Sequence, residues 1–217
     1  MIPLSYSHYS YCDYHQSVDW AIGYMSLSPF DELFIWGELD ISPKDYKTSE
    51  IALEMAKMRG HYKFTLDVID PLSSIVNNNT STNTIQDLNK CFIELQKQGI
   101  CEHAYFVPAD TKGEVGILKL RERIKNSNIV KTPFNNQVIE MGIKKNLPTV
   151  WIFNNCVKIQ NSIRNWRLKK GVPGRGEYSH HCRGIEYILK DSLFRPPSIL
   201  FKKPIKREPI RYFQTQR

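Results

Sequence analysis

Tyr9-Ser-Tyr-Cys-Asp-Tyr-His15, Trp20-Ala-Ile-Gly-Tyr-Met-Ser-Leu27 and Leu33-Phe-Ile-Trp-Gly-Glu-Leu39 follow one another near the start of the chain. Each is rich in aromatic and β-branched residues, and Ser28-Pro-Phe-Asp31 supplies a short turn between the second and third. Such runs, broken by Pro and Asp, predict an antiparallel meander of three strands. Downstream the pattern changes. Ser42-Pro-Lys44 opens a helix-like stretch in which Ile51, Met55 and Met58 share one face, and Arg59-Gly60 ends it.

Phe64-Thr-Leu-Asp-Val-Ile69 reads as a buried strand stopped by Asp70-Pro71. Helices are expected over Ile85–Lys97, Gly113–Lys125, a stretch ending at Trp166, and about Ser179–Leu193. Short strands are expected at Ala104–Val107 and Thr149–Phe153. Three leading strands followed by alternating helices and strands predict an α/β fold, a mixed β-sheet with helices on both faces. Residues 1–194 are read as one domain, and 195–217, with its prolines and basic residues, as an extended or disordered tail.

The 217 residues suit one core, and 41% apolar with 24% charged residues marks a globular chain. Lys and Arg number 30 against 22 Asp and Glu, a formal charge of +8. That excess suits a polyanion such as nucleic acid, although a solvated basic surface gives the same count. The five cysteines contain no C-x-x-C pair, so neither a disulfide framework nor a structural zinc site is expected, and the compartment is read as reducing and intracellular. No stretch is apolar enough to span a bilayer, and no membrane partner is expected. A P-loop, H-E-x-x-H and G-x-S-x-G are absent from the sequence, which sets aside the chemistries tied to them. His180-His181-Cys182 resembles a metal cluster, but consecutive helical residues point in different directions and do not share one ion.

Two carboxylates carry the chemistry. Asp13 lies inside an apolar strand, and Asp70 stands where Pro71 stops another. Singly, Asp13 has an ordinary reading as an edge-strand solubility device and Asp70-Pro71 as a turn. Together, at the ends of neighbouring strands, they would repel unless a divalent cation lay between them, and oxygen ligands favour Mg²⁺ or Mn²⁺.

These residues resemble the nuclease domain of the large terminase subunit of tailed bacteriophages, an RNase H-like fold. Four stretches carry the likeness: Asp13-Tyr-His15 with the two runs after it; Val68-Ile-Asp70-Pro-Leu72; Pro108-Ala-Asp-Thr-Lys112 with Gly116-Ile117 and Leu120-Arg121; and Val150–Phe153 through Trp166 to Ser179-His-His-Cys-Arg-Gly-Ile-Glu-Tyr187. The resemblance implies a metal-dependent endonuclease that cuts concatemeric double-stranded DNA during viral packaging, with Asp13 and Asp70 as catalytic metal ligands and two ions at the site. It also implies nucleic-acid contacts at Lys112, Arg175, His180 and Arg183. Implied partners are an ATPase motor, separate or excised, a portal protein and the small terminase subunit, in the host cytoplasm.

One departure bears on the chemistry. The family's last helix carries Asp-His-x-x-Asp-Ala-Leu-Arg-Tyr, whose inner Asp is the third metal ligand. Matching Tyr187 to the closing Tyr places His180 on the His, Arg183 on the ligand, Gly184 on the Ala and Glu186 on the Arg. Glu186 is then expected to reach the metal from the next turn as a displaced third ligand, or else to form an Arg183–Glu186 surface pair. With Arg183 at the site instead, the chain reads as a catalytically impaired DNA-binding or assembly module.

Overall fold

The computed structural model describes residues 2–76, 81–112, 115–125, 148–166, 168–169, 172–173, 176 and 178–198. The meander forms as expected: β1 (Ser7–Asp13), β2 (Trp20–Leu27) and β3 (Leu33–Ile41) pair antiparallel in succession. β4 (Phe64–Ile69) adds parallel to β1, β5 (Phe106–Pro108) parallel to β4, and β6 (Val150–Ile152) parallel to β3. The six-stranded sheet therefore runs β5-β4-β1-β2-β3-β6, a mixed sheet with β1 near its middle.

Alternation along the strands decides which helix meets which face. Tyr9, Tyr11, Met25, Leu27, Leu66 and Val68 point to one side, where α3 (Val115–Ile124), α4 (Val157–Asn165) and α5 (Ser179–Lys190) cover them. Cys12, Ile22, Tyr24 and Ile69 point to the other, against α1 (Thr48–Arg59) and α2 (Thr84–Lys97). Covered on both faces, β2 is buried along its whole length, which is why it reads as an unbroken apolar run.

Local chemistry sets the helix ends. α1 begins later than Ser42-Pro43 suggests, because the Glu50 carboxylate accepts the Lys47 backbone N–H at 2.7 Å and fixes the first turn there. Residues 42–46 instead close a turn on the Ser42 carbonyl. α1 stops at Gly60, whose φ of 54° suits a residue without a Cβ. Asn83 caps α2 by accepting the Gln86 N–H at 2.9 Å. Of the tail, residues from 199 onward lie outside the described residues.

One charge is buried on the α1–α2 side for structural reasons. Arg59, 1% exposed, pairs with Asp67 at 3.1 Å and lies 4.2 Å over the Phe64 ring. Ser10 also donates to Asp67. A carboxylate inside a strand is thus fully partnered, as burial requires.

α5 crosses β1 and β2 at very short range. Gly184 rests on the Cδ2–Cε2 edge of the Tyr11 ring and Gly23 on its Cε1–Cζ end, and a Cβ at either position would fall inside van der Waals contact with that ring. Beyond its C-terminal end, the Tyr9 hydroxyl donates to the carbonyls of Leu193 and Arg195, at 3.1 and 3.0 Å. Among the described residues no helix is long and apolar enough to cross a membrane.

Candidate active site

β1 and β4 lie side by side in the same direction, with Cys12 opposite Ile69. The Asp70 N–H extends that ladder by donating to the Cys12 carbonyl at 2.9 Å. Asp13 and Asp70 are therefore the next pair in register. By period 2 they project on the side of Tyr11 and Val68, the side that α5 covers. Pro71, lacking an N–H, ends the ladder, and Asp70 Oδ1 turns back to accept the Leu72 N–H at 2.8 Å, capping the single 3-10 turn Pro71–Ser74. Both carboxylates are buried, Asp13 at 4% and Asp70 at 7% exposure.

α5 supplies the groups that face them. The Tyr187 hydroxyl donates to Asp70 Oδ2 at 2.7 Å and also lies 3.2 Å from Asp13 Oδ1. His180 Nδ1 is 2.6 Å from Asp13 Oδ2. Seven residues is close to two helical turns, so positions 180 and 187 fall within roughly 20° of one another on the helix and Arg183 lies between them. The hydrogen bond to Asp13 raises the His180 pKa above its ordinary value; burial opposes this and the Asp13 charge reinforces it, while the positive field of Arg183 pulls the other way. Burial, followed by the charges of Asp13 and Asp70, pushes the Tyr187 hydroxyl far above the ordinary phenol range, so it stays protonated and donates.

A second polar chain anchors the same helix. The Tyr11 hydroxyl meets His181 Nδ1 at 2.9 Å, and His181 Nε2 meets Asp40 Oδ2 at 3.0 Å. The Asp40 carboxylate only accepts, so Nε2 carries the proton shared with it, and burial keeps the Tyr11 hydroxyl protonated beside Nδ1. Burial favours the neutral form of Asp40, but the bond from His181, helped by Lys158 at 3.5 Å, outweighs it and holds that carboxyl below its ordinary value. A cavity of about 880 Å³ opens beside the site, with His180, His181, Asp40, Lys158 and Tyr178 in its walls.

Of the residues the sequence singled out, the structure brings together Asp13, Asp70 and His180, with Arg183 half-exposed on the same face of α5. Glu186 is not brought to them. Its side chain packs on Gly116 of α3, and its carboxylate pairs with Lys190 Nζ at 3.3 Å. The expectation of a displaced ligand fails on angle: at about 100° per residue, position 186 lies roughly 120° around the helix from His180. Lys112 is exposed in the loop after β5, its N–H bound to Asp110 at 2.9 Å. Arg175 lies outside the described residues. His180, His181 and Cys182 diverge, to Asp13, to Asp40 and into the apolar core respectively.

Sequence reading missed Tyr187 as a site residue, and Asp40 with His181 as a supporting pair. Asp40 carried the same signal as Asp13, an acid at the end of an apolar strand.

Among the described residues, no three His, Cys, Asp or Glu side chains gather into a group that could hold a metal ion. The pair itself is two hard oxygen donors of like charge. That chemistry fits a Mg²⁺-like cation, which is commonly held by one or two carboxylates with water and phosphate oxygens completing its shell.

A mixed α/β sheet carrying two acidic side chains at the ends of adjacent parallel strands thus defines the class. Solved structures give that class a particular likeness. The nuclease domain of the P22 large terminase superposes with a TM-score of 0.53 at 11% identity, covering 86% of this chain and 81% of that one. The large terminase of a thermophilic bacteriophage superposes at 0.52 and 12% identity over 89% of this chain, and at 0.53 and 14% in a second crystal form. The chain has the fold of a terminase nuclease domain. It spans about two fifths of the thermophilic phage protein, 42% of its length. No family model and no curated protein sequence matches.

Proposed function

We propose that this chain is a metal-dependent endodeoxyribonuclease of the viral packaging type, with Asp13 and Asp70 as its metal ligands. The observation that carries the reading is the convergence of these two buried carboxylates, in register on adjacent parallel strands, on one hydroxyl between them. Nothing in a structural core calls for that arrangement. Asp67, the other buried acid of β4, is neutralised by Arg59, whereas Asp13 and Asp70 face each other.

Asp13 and Asp70 would hold Mg²⁺ or Mn²⁺, which supplies charge stabilisation at phosphorus and lowers the pKa of bound water. His180 fixes the Asp13 carboxylate through Oδ2 and is placed to pass a proton at Nδ1. Arg183, on the same face, adds a permanent positive charge toward a phosphate. Double-stranded DNA is the proposed substrate, and the +8 charge suits it. An ATPase motor, portal protein and small terminase subunit are the proposed partners.

The test is nicking of supercoiled plasmid in Mn²⁺ by the wild-type chain, Asp13→Asn and Asp70→Asn. The reading expects cleavage by the wild type and a loss of at least about 100-fold in each variant, since even a ligand's supporting partner is worth about 10–100-fold. Cleavage that survives both substitutions refutes it. A second reading, a DNA-binding or assembly module without cleavage, is favoured by Arg183, a cation on the α5 face that meets the carboxylates. DNA bound but uncut by the wild-type chain, in Mg²⁺ and in Mn²⁺, selects it.

A further inference from the structure

We propose that Tyr187 is a clasp: its hydroxyl lies between Asp13 and Asp70 and holds them together when no cation is bound, and a hard divalent cation must displace it. The proposal rests on the reading that this pair takes such a cation.

Two buried carboxylates at the ends of adjacent strands repel one another, and burial strengthens that repulsion. The fold offsets it with donors from α5 and, at Asp70 Oδ1, with the Leu72 N–H. Tyr187 has a single O–H proton, and its bonds are unequal, 2.7 Å to Asp70 and 3.2 Å to Asp13. Asp13 receives its closer contact, 2.6 Å, from His180 on its other oxygen. Asp70 spends its other oxygen on the Leu72 N–H. The oxygens facing each other, Asp13 Oδ1 and Asp70 Oδ2, are therefore those that share the phenol. A cation held by both carboxylates would need these same oxygens, so phenol and cation compete.

The competition is specific in sign. A residue that merely packs α5 in place would, when trimmed, loosen the site and weaken cation binding. A clasp does the opposite. Tyr187→Phe keeps the ring and removes only the donor, so the apo chain should lose stability while Mn²⁺ binds more tightly. Loss of one competing hydrogen bond to a charged acceptor corresponds to about a tenfold gain in affinity.

The experiment is calorimetric titration of the intact chain with MnCl₂, without DNA, beside thermal unfolding with and without the ion. It compares the wild type with Tyr187→Phe and with Asp70→Asn/Tyr187→Phe. Expected are a lower apo melting temperature for Tyr187→Phe, a larger rise on adding Mn²⁺, and about tenfold tighter binding. In the double variant, with one carboxylate made neutral, the apo destabilisation should largely disappear. Mn²⁺ bound equally or more weakly by Tyr187→Phe, while the wild type still binds it and nicks plasmid, overturns the clasp and leaves the nuclease reading standing. No Mn²⁺ binding by either chain overturns the clasp and the cation reading together.

Discussion

Gly184 stands where the terminase motif carries Ala, and the structure shows why an added methyl would be harmful. Gly184→Ala places a Cβ against the Tyr11 ring well inside van der Waals contact. The ring is held in place, because Gly23 lies against its Cε1–Cζ end and its hydroxyl is bound to His181 at 2.9 Å. In an exposed helix the same substitution would stabilise by about 1 kcal/mol, since Ala is the better helix former. Overpacking a closed core costs about 1–3 kcal/mol, and a pinned ring puts this site at the upper end. The expected net effect is a loss of about 2 kcal/mol, read as a lower urea midpoint at unchanged m. Because α5 must lift away from β1, His180 and Tyr187 should draw back from Asp13, and plasmid nicking should fall more than stability does. Tyr11→Leu, which thins the contact, should relieve the penalty, with a coupling energy above about 1 kcal/mol in the double-mutant cycle. A Gly184→Ala chain as stable as the wild type, or more stable, refutes the argument, because the propensity gain would then be unopposed.

The buried Arg59–Asp67 pair sets a stability limit on the opposite side of the sheet. Asp67→Ala leaves a guanidinium 1% exposed without its carboxylate and should cost about 3–5 kcal/mol in denaturant titration, with no direct effect on the site. His8 is buried, with Nδ1 on Ser26 at 2.7 Å, and burial depresses its pKa below the ordinary 6.5, against the smaller raising effect of the Leu4 backbone. The unfolded chain then takes up a proton near pH 6.5 that the folded chain refuses, so stability should fall as pH drops below that value, down to the depressed pKa. His8→Gln should flatten that part of the pH–stability profile, and an unchanged slope would refute the assignment.

Legibility in the sequence followed how local each signal was. β2 and β4 were readable to the residue, since each is an apolar run closed by Ser-Pro or Asp-Pro. β5 was placed a residue or two early and β6 drawn one residue too long at each end, because a run of three residues hardly differs from its flanks. Asp13 and Asp70 stood out as acids against apolar strands, but the same signal did not separate them from Asp67. Only Arg59, brought in by α1, makes Asp67 structural. Tyr187 was legible as the end of a motif and not as a donor, because its partners lie 174 and 117 residues away in sequence. Glu186 misled because a shared helical face is a coarse rule beside a turn of about 100° per residue.

The bond from Tyr9 to the carbonyls beyond α5, together with the Tyr11 ring beneath its middle, ties the last described helix to the first strand. During synthesis both carboxylates leave the ribosome long before the helix that faces them. At about 5–20 residues per second, the stretch from Asp70 to Ser179 alone takes roughly 5–20 s to make. Throughout that interval α5 is missing from the Tyr9–Tyr11 face of β1, and the acidic pair lacks the His180 and Tyr187 donors. Contacts so distant in sequence also raise the contact order and slow folding as a whole. The donors on α5 that face the acidic pair are thus among the last of the described residues to be made.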